Sequence, residues 1–94
     1  MTVYERIRAL KAGQIIFVDY DDTLWLGNRP NEMLIEALKQ ARNRGVLVYL
    51  WTAAPFYKTI ERVDNMRKYG LMFDVVHCGI DKSDLIIDNL AVSP

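Results

Sequence analysis

The sequence holds a single cysteine, Cys78, so it can form no intrachain disulfide and supplies no thiolate cluster for zinc. A reducing, cytoplasmic compartment is the expectation that follows. Net charge is also missing: twelve basic and twelve acidic residues cancel. No global field draws the chain to nucleic acid or to an anionic membrane, although a local phosphate site needs only one or two cations and some backbone N–H groups. No segment approaches the roughly 18 apolar residues that span a bilayer. Residues 1–11 are charged and amphipathic and lack the apolar region of a signal peptide. There is no repeat, low-complexity tract or linker, and the few glycines and prolines sit where elements are expected to end or begin. What remains is an ordinary globular composition, 51% hydrophobic and 26% charged over 94 residues. That length makes one domain, residues 1–94, with a single modest core.

The stretch that organises this chain is Ile15-Ile16-Phe17-Val18-Asp19-Tyr20-Asp21-Asp22-Thr23-Leu24. A short apolar run leads straight into three carboxylates within four positions. Such a run reads as a buried strand of a parallel sheet, and ligands in such sheets bind outside the carboxyl ends of the strands. Three carboxylates this close repel one another and need a neutralising partner. A hard divalent cation held by oxygen ligands, Mg2+, is the first inference.

The remaining elements follow in order. Thr2 caps a first helix over residues 3–11, with Tyr4, Ile7, Leu10 and Lys11 at helical spacing and Gly13 ending it. This helix packs on the sheet, with a dimer contact as the alternative. Residues 25–30 read as a loop or short hairpin. Asn31 caps a helix over residues 32–44, whose stripe is Leu34, Leu38 and Ala41, and Gly45 follows it. A nearly all-apolar strand over residues 46–51 ends at Thr52. Pro55 opens a third helix with Phe56, Ile60, Val63 and Met66 at core spacing, and Gly70 stops it. A short strand from residue 74 or 75 to 77, a loop over 79–83 and a last strand over 85–87 complete the sheet. Residues 90–94 read as too short for another layer. Strands alternating with helices argue an α/β fold with a small, about four-stranded, mostly parallel sheet and right-handed crossovers.

The strand ends then offer Asp19 and Asp21, Thr52 and Asp88, with Lys82 in the loop before the last strand. This inventory suits phosphoryl transfer. A carboxylate can attack phosphorus, a second can carry the proton, and a hydroxyl and an ammonium can hold the other oxygens. Asp19-Tyr20-Asp21-Asp22-Thr23-Leu24 resembles the D-x-D-x-T-L signature of the haloacid dehalogenase (HAD) superfamily of phosphohydrolases. Leu47-Val48-Tyr49-Leu50-Trp51-Thr52 is similar to its second motif, and Lys82-Ser83-Asp84-Leu85-Ile86-Ile87-Asp88-Asn89 to its third and fourth in compact form.

The resemblance implies a three-layer Rossmannoid sandwich and a phosphate monoester as substrate. It makes Asp19 nucleophile and Mg2+ ligand, and Asp21 general acid/base with its backbone carbonyl on the metal. Thr52 and Lys82 would bind the phosphoryl group, Asp88 would be the remaining metal ligand, and Thr23 would support the turn that aims Asp21. Two departures stand out: Asp22 occupies a position commonly Gly, and Asn89 one that often carries a second acid. Neither insertion point has room for a cap domain, so the chain looks like a minimal, capless member. Such members have open sites suited to macromolecular ends, or borrow a lid from a partner subunit, which leaves a homodimer open.

Blander readings stand beside these. Thr52 could be a helix cap, Lys58 could replace Lys82 as the phosphate-binding lysine, and Asp88 could cap a loop. Asp74 and Asp84 read as loop residues, and His77 and Cys78 as packing residues. Two rival functions share the inventory: a receiver-like phosphoacceptor module, and a catalytically silent domain that binds phosphate and Mg2+.

Overall fold

The computed structural model describes residues 2–79 and 90–92. Helix α1 spans Val3–Ala9. Thr2 caps it: its hydroxyl accepts the Glu5 N–H at 3.1 Å, and the Glu5 carboxylate returns a bond to the Thr2 N–H at 3.3 Å. The helix stops two residues before the expected end because Leu10 is already extended, and it buries Ile7 alone. Strand β1, Ile15–Val18, follows. A hairpin of β2, Trp25–Leu26, and β3, Arg29–Pro30, realises the expected turn-rich stretch.

Helix α2, Glu32–Asn43, is capped by Asn31, whose Oδ1 accepts the Leu34 N–H at 3.3 Å. It buries Leu34, Ile35, Leu38 and Ala41 and ends at Gly45, with φ of 94°. A left-handed residue here lets the Gly45 and Val46 N–H groups reach Arg42 and Ala41 carbonyls. Strand β4, Leu47–Trp51, helix α3, Phe56–Lys68, strand β5, Val75–His77, and strand β6, Leu90–Val92, complete the described chain.

The sheet order is β5-β4-β1-β6, and every neighbouring pair is parallel. The acidic strand β1 is therefore central, as a strand apolar on both faces should be. Its alternate side chains Ile16 and Val18, with Val48, Leu50 and Val92, meet Ile7, Leu38 and Met66 from the three helices in one core. Among the described residues all three helices lie on this face. The opposite face carries Phe17, Tyr49, Trp51 and His77 as an aromatic cluster with ring centroids 4.9–6.0 Å apart. No helix among the described residues is long and apolar enough to cross a membrane.

The described strand beside β1 on its outer side is Leu90–Val92, in residues read as too short for another layer, with Val18 paired to Val92; the strand expected at 85–87 lies outside the described residues. One expectation is corrected: helix α3 is rotated from its expected face. Phe56 and Ile60 are exposed, whereas Thr59 and Met66 are buried and Val63 is half-buried. The sheet-facing row is Thr59, Arg62 and Met66, at i, i+3 and i+7. Arg62 lies on that row and makes its polar contacts at the strand ends.

Asp74, read from sequence as a loop residue, is a staple. Its carboxylate accepts the Val48 N–H at 2.7 Å and two Arg42 N–H groups at 3.2 and 2.9 Å, joining α2, β4 and the start of β5. The hydrogen bond from Arg42 is the largest influence, and with the Val48 N–H it outweighs desolvation and holds the carboxyl below its ordinary value.

Candidate functional site

The carboxyl ends of β1 and β4 lie side by side, with Val18 paired to Leu50. Asp19 and Thr52 each come just past the paired residues, and both are buried, at 8% and 2% exposure. The Asp19 N–H continues the sheet by donating to the Val92 carbonyl at 3.0 Å. Its carboxylate accepts the N–H of Tyr20 at 2.8 Å, which orients one oxygen toward the start of the turn.

The turn is built on one carbonyl. Tyr20 O accepts the N–H groups of Thr23, Leu24 and Trp25 at 3.3, 3.0 and 3.0 Å. The Asp22 N–H closes it from the other side by donating to Trp25 O at 2.8 Å. This tight reversal needs a left-handed residue, and Asp22 supplies it with φ of 57°. Asp22, with no chemical role assigned from sequence, therefore has a conformational one at the position where glycine would be easiest. Thr23 supports the turn through its backbone: its carbonyl accepts from Asn31 Nδ2 at 3.0 Å, which ties the turn to the cap of α2. Its buried hydroxyl has no hydrogen-bond partner among the described residues.

Asp21 points outward, its side chain 64% exposed, and pairs with Arg62 through Oδ2 and Nη2 at 2.9 Å. Arg62 also donates from Nη1 to Thr52 Oγ1 at 3.2 Å. Thr52 Oγ1 in turn accepts the Ala54 N–H at 3.1 Å. Thr52 thus closes the turn at Ala54 and faces the cation as well, whereas α3 begins after Pro55 with no side-chain cap. The guanidinium lies over the Tyr20 ring, 4.9 Å from its centroid, and Asn65 fixes that ring by donating to the phenol oxygen at 2.8 Å. The other side of the cluster is walled by Trp25, parallel to Tyr20 at 6.4 Å.

The structure therefore brings Asp19, Asp21, Thr23 and Thr52 to one end of the sheet. Lys82, Asp88 and Asn89 lie outside the described residues. Lys58 is exposed on the first turn of α3, and among the described residues the cation that reaches Asp21 and Thr52 is Arg62. Sequence reasoning missed Arg62 because the apolar spacing of α3 pointed one step around the helix. The signal that could have found it is the row Thr59, Arg62 and Met66.

No three His, Cys, Asp or Glu side chains among the described residues group closely enough to hold a metal ion. The Asp19 carboxylate and the Asp21 backbone carbonyl are hard oxygens, the donor chemistry that suits Mg2+, which keeps several waters and takes only one or two carboxylates from a protein. No family model, curated protein or solved structure compared with the chain matches it.

Proposed function

We propose that the chain is a Mg2+-dependent phosphohydrolase of the haloacid dehalogenase type, without a cap domain, that works through a covalent aspartyl-phosphate on Asp19. The observation that supports it best is the meeting, at two neighbouring strand ends, of a buried carboxylate, a buried hydroxyl and an acid/base carboxylate beside a cation. The short β2–β3 hairpin between the acidic turn and α2 supports the capless reading.

Each residue then has a task. An Asp19 oxygen attacks the phosphorus of a phosphate monoester while Thr52 holds a non-bridging oxygen. The bond from phosphorus to the leaving oxygen breaks, and Asp21 in its acid form gives that oxygen a proton. Water then attacks the phosphorus, Asp21 as carboxylate takes the water's proton, and the bond to Asp19 breaks to release phosphate. The donors for Mg2+ would be Asp19, the Asp21 carbonyl and Asp88. When bound, the ion offsets the repulsion between the Asp19 carboxylate and the phosphoryl oxygens. Asp21 can swing between Arg62 and a leaving oxygen because its side chain is exposed.

The test is a panel of phosphate monoesters with Mg2+, from an aryl phosphate to nucleotides, sugar phosphates, phosphopeptides and polynucleotide ends, run beside Asp19→Asn. The expected result is turnover of at least one ester, lost in Asp19→Asn with the fold retained by circular dichroism. Equal turnover in that variant overturns the mechanism. A lasting phosphorylated chain without turnover points instead to a receiver-like module.

A further inference from the structure

Arg62 is placed as a structural arginine rarely is. Its side chain is only 19% exposed, yet the carboxylate it pairs with is 64% exposed. An ion pair with so solvated a partner contributes little, while the guanidinium still bears the cost of partial desolvation. Its second bond goes to the hydroxyl of Thr52, itself 2% exposed. Its Cζ lies over the Tyr20 ring, 4.9 Å from the centroid, and Asn65 locks Tyr20. These contacts hold a planar fork of five N–H donors between the ends of β1 and β4. Such a fork matches the paired oxygens of a phosphoryl group better than a lysine does.

Resting on the phosphohydrolase reading, we propose that Arg62 is the residue that grips the phosphoryl group, and that Asp21 occupies its fork until substrate arrives. A phosphoryl dianion entering between Asp19 and Thr52 takes the Nη donors. Arg62 keeps its cation–π contact with Tyr20 while its Nη groups change partner. Asp21 is released in the same event as a carboxylate, takes a proton from solvent through its exposed side chain, and can then give that proton to the leaving oxygen. The exchange couples substrate binding to the delivery of the acid/base. A mono-anionic or neutral ester, which cannot outcompete a carboxylate for the fork, leaves Asp21 bound.

The experiment measures binding of inorganic phosphate by calorimetry, with Mg2+, together with aryl phosphate kinetics. Wild type, Arg62→Lys, Arg62→Gln and Arg62→Ala are compared, the last with and without added guanidinium ion. Loss of two charge-assisted bonds to phosphate should weaken binding about 10- to 100-fold in Arg62→Gln and Arg62→Ala. KM should rise and kcat fall in both, Arg62→Lys should retain intermediate affinity, and guanidinium should restore part of the affinity of Arg62→Ala. Phosphate affinity unchanged from wild type in a folded Arg62→Gln or Arg62→Ala overturns the proposal. If Arg62→Ala does not fold, Arg62→Gln, which keeps the stem and a donor to Thr52, decides alone. A wild type that neither binds phosphate nor turns over any ester overturns the phosphohydrolase reading itself, an outcome distinct from an active enzyme indifferent to Arg62.

Discussion

Replacing Asp22 separates the shape of the acidic turn from its charge. At φ of 57° its Cβ crowds the following carbonyl, at roughly 1–2 kcal/mol for an L residue and somewhat less for aspartate. Glycine removes that crowding but adds freedom to the unfolded chain worth about 0.5–1 kcal/mol. The two effects nearly cancel, so Asp22→Gly should lie within about 1 kcal/mol of the native chain. Asp22→Asn keeps the tolerance for a left-handed backbone and drops only the charge, so it should change stability by about 0.5 kcal/mol or less. Asp22→Val meets the crowding in full with a β-branched side chain, and should fall about 2–3 kcal/mol below Asp22→Gly. Urea unfolding followed by the fluorescence of Trp25 and Trp51 reads these differences, since both indoles sit near the turn or on its neighbouring strand. The charge has its own readout. Asp22→Gly and Asp22→Asn both remove one negative charge from the turn that carries Asp19 and Asp21, so both should bind inorganic phosphate more tightly, and by less at high salt. Asp22→Val as stable as Asp22→Gly would refute the left-handed turn. Phosphate affinity that rises in one of the two uncharged variants and not the other would refute the charge argument.

Other consequences follow from the frame that holds the site. The folded value of the Asp74 carboxyl lies below its ordinary 3.8. Its contribution is therefore complete above that ordinary value and is lost as pH falls through the lower folded one. Because Arg42 and Asp74 side chains are 34% and 23% exposed, solvent and salt reduce the pair, and Asp74→Asn should cost about 1 kcal/mol at neutral pH. The gap between native and variant should close in acid, as urea midpoints across pH will show. Gly45→Ala should be more damaging than an ordinary helix-end change. Its φ is 94°, and an added Cβ would stand 2.9 Å from the Ala12 Cβ, so a loss of about 2–3 kcal/mol is expected from crowding on both counts. A loss below about 1 kcal/mol would mean that the α1–β1 connection moves aside freely.

The parts of the fold legible in the sequence are those where one local rule decides. Strand β1 is apolar on both faces because Ile16 and Val18 meet the helices while Phe17 meets Tyr49 and Trp51. A continuous apolar run is what that environment selects. Helix α2 is bounded by Asn31 and Gly45, whose cap bonds and positive φ are local chemistry. Helix α3 was harder because two stripes a step apart compete. Phe56, Ile60 and Val63 form the better apolar row, yet Thr59, Arg62 and Met66 turn inward, and there Arg62 meets Asp21 and Thr52. Periodicity counts apolar residues and is blind to a cation with partners on two other elements. The pairing of Leu90–Val92 with β1 likewise belongs to tertiary geometry that three residues do not announce. At the site, Asp19, Asp21 and Thr52 were legible as strand-end residues. The left-handed role of Asp22 and the double contact of Arg62 belong to tertiary geometry.

Trapping the covalent intermediate decides whether Asp19 is the nucleophile. The wild-type chain is mixed with Mg2+ and a hydrolysed aryl phosphate, quenched with borohydride during turnover, and digested for mass spectrometry. Reduction of an acyl phosphate converts the aspartate side chain to a primary alcohol, so that change is expected at Asp19 and at no other carboxylate, and is expected to be absent without substrate. Sustained hydrolysis with no reduced residue, or with the change at Asp21 or Asp22 in place of Asp19, would contradict that assignment.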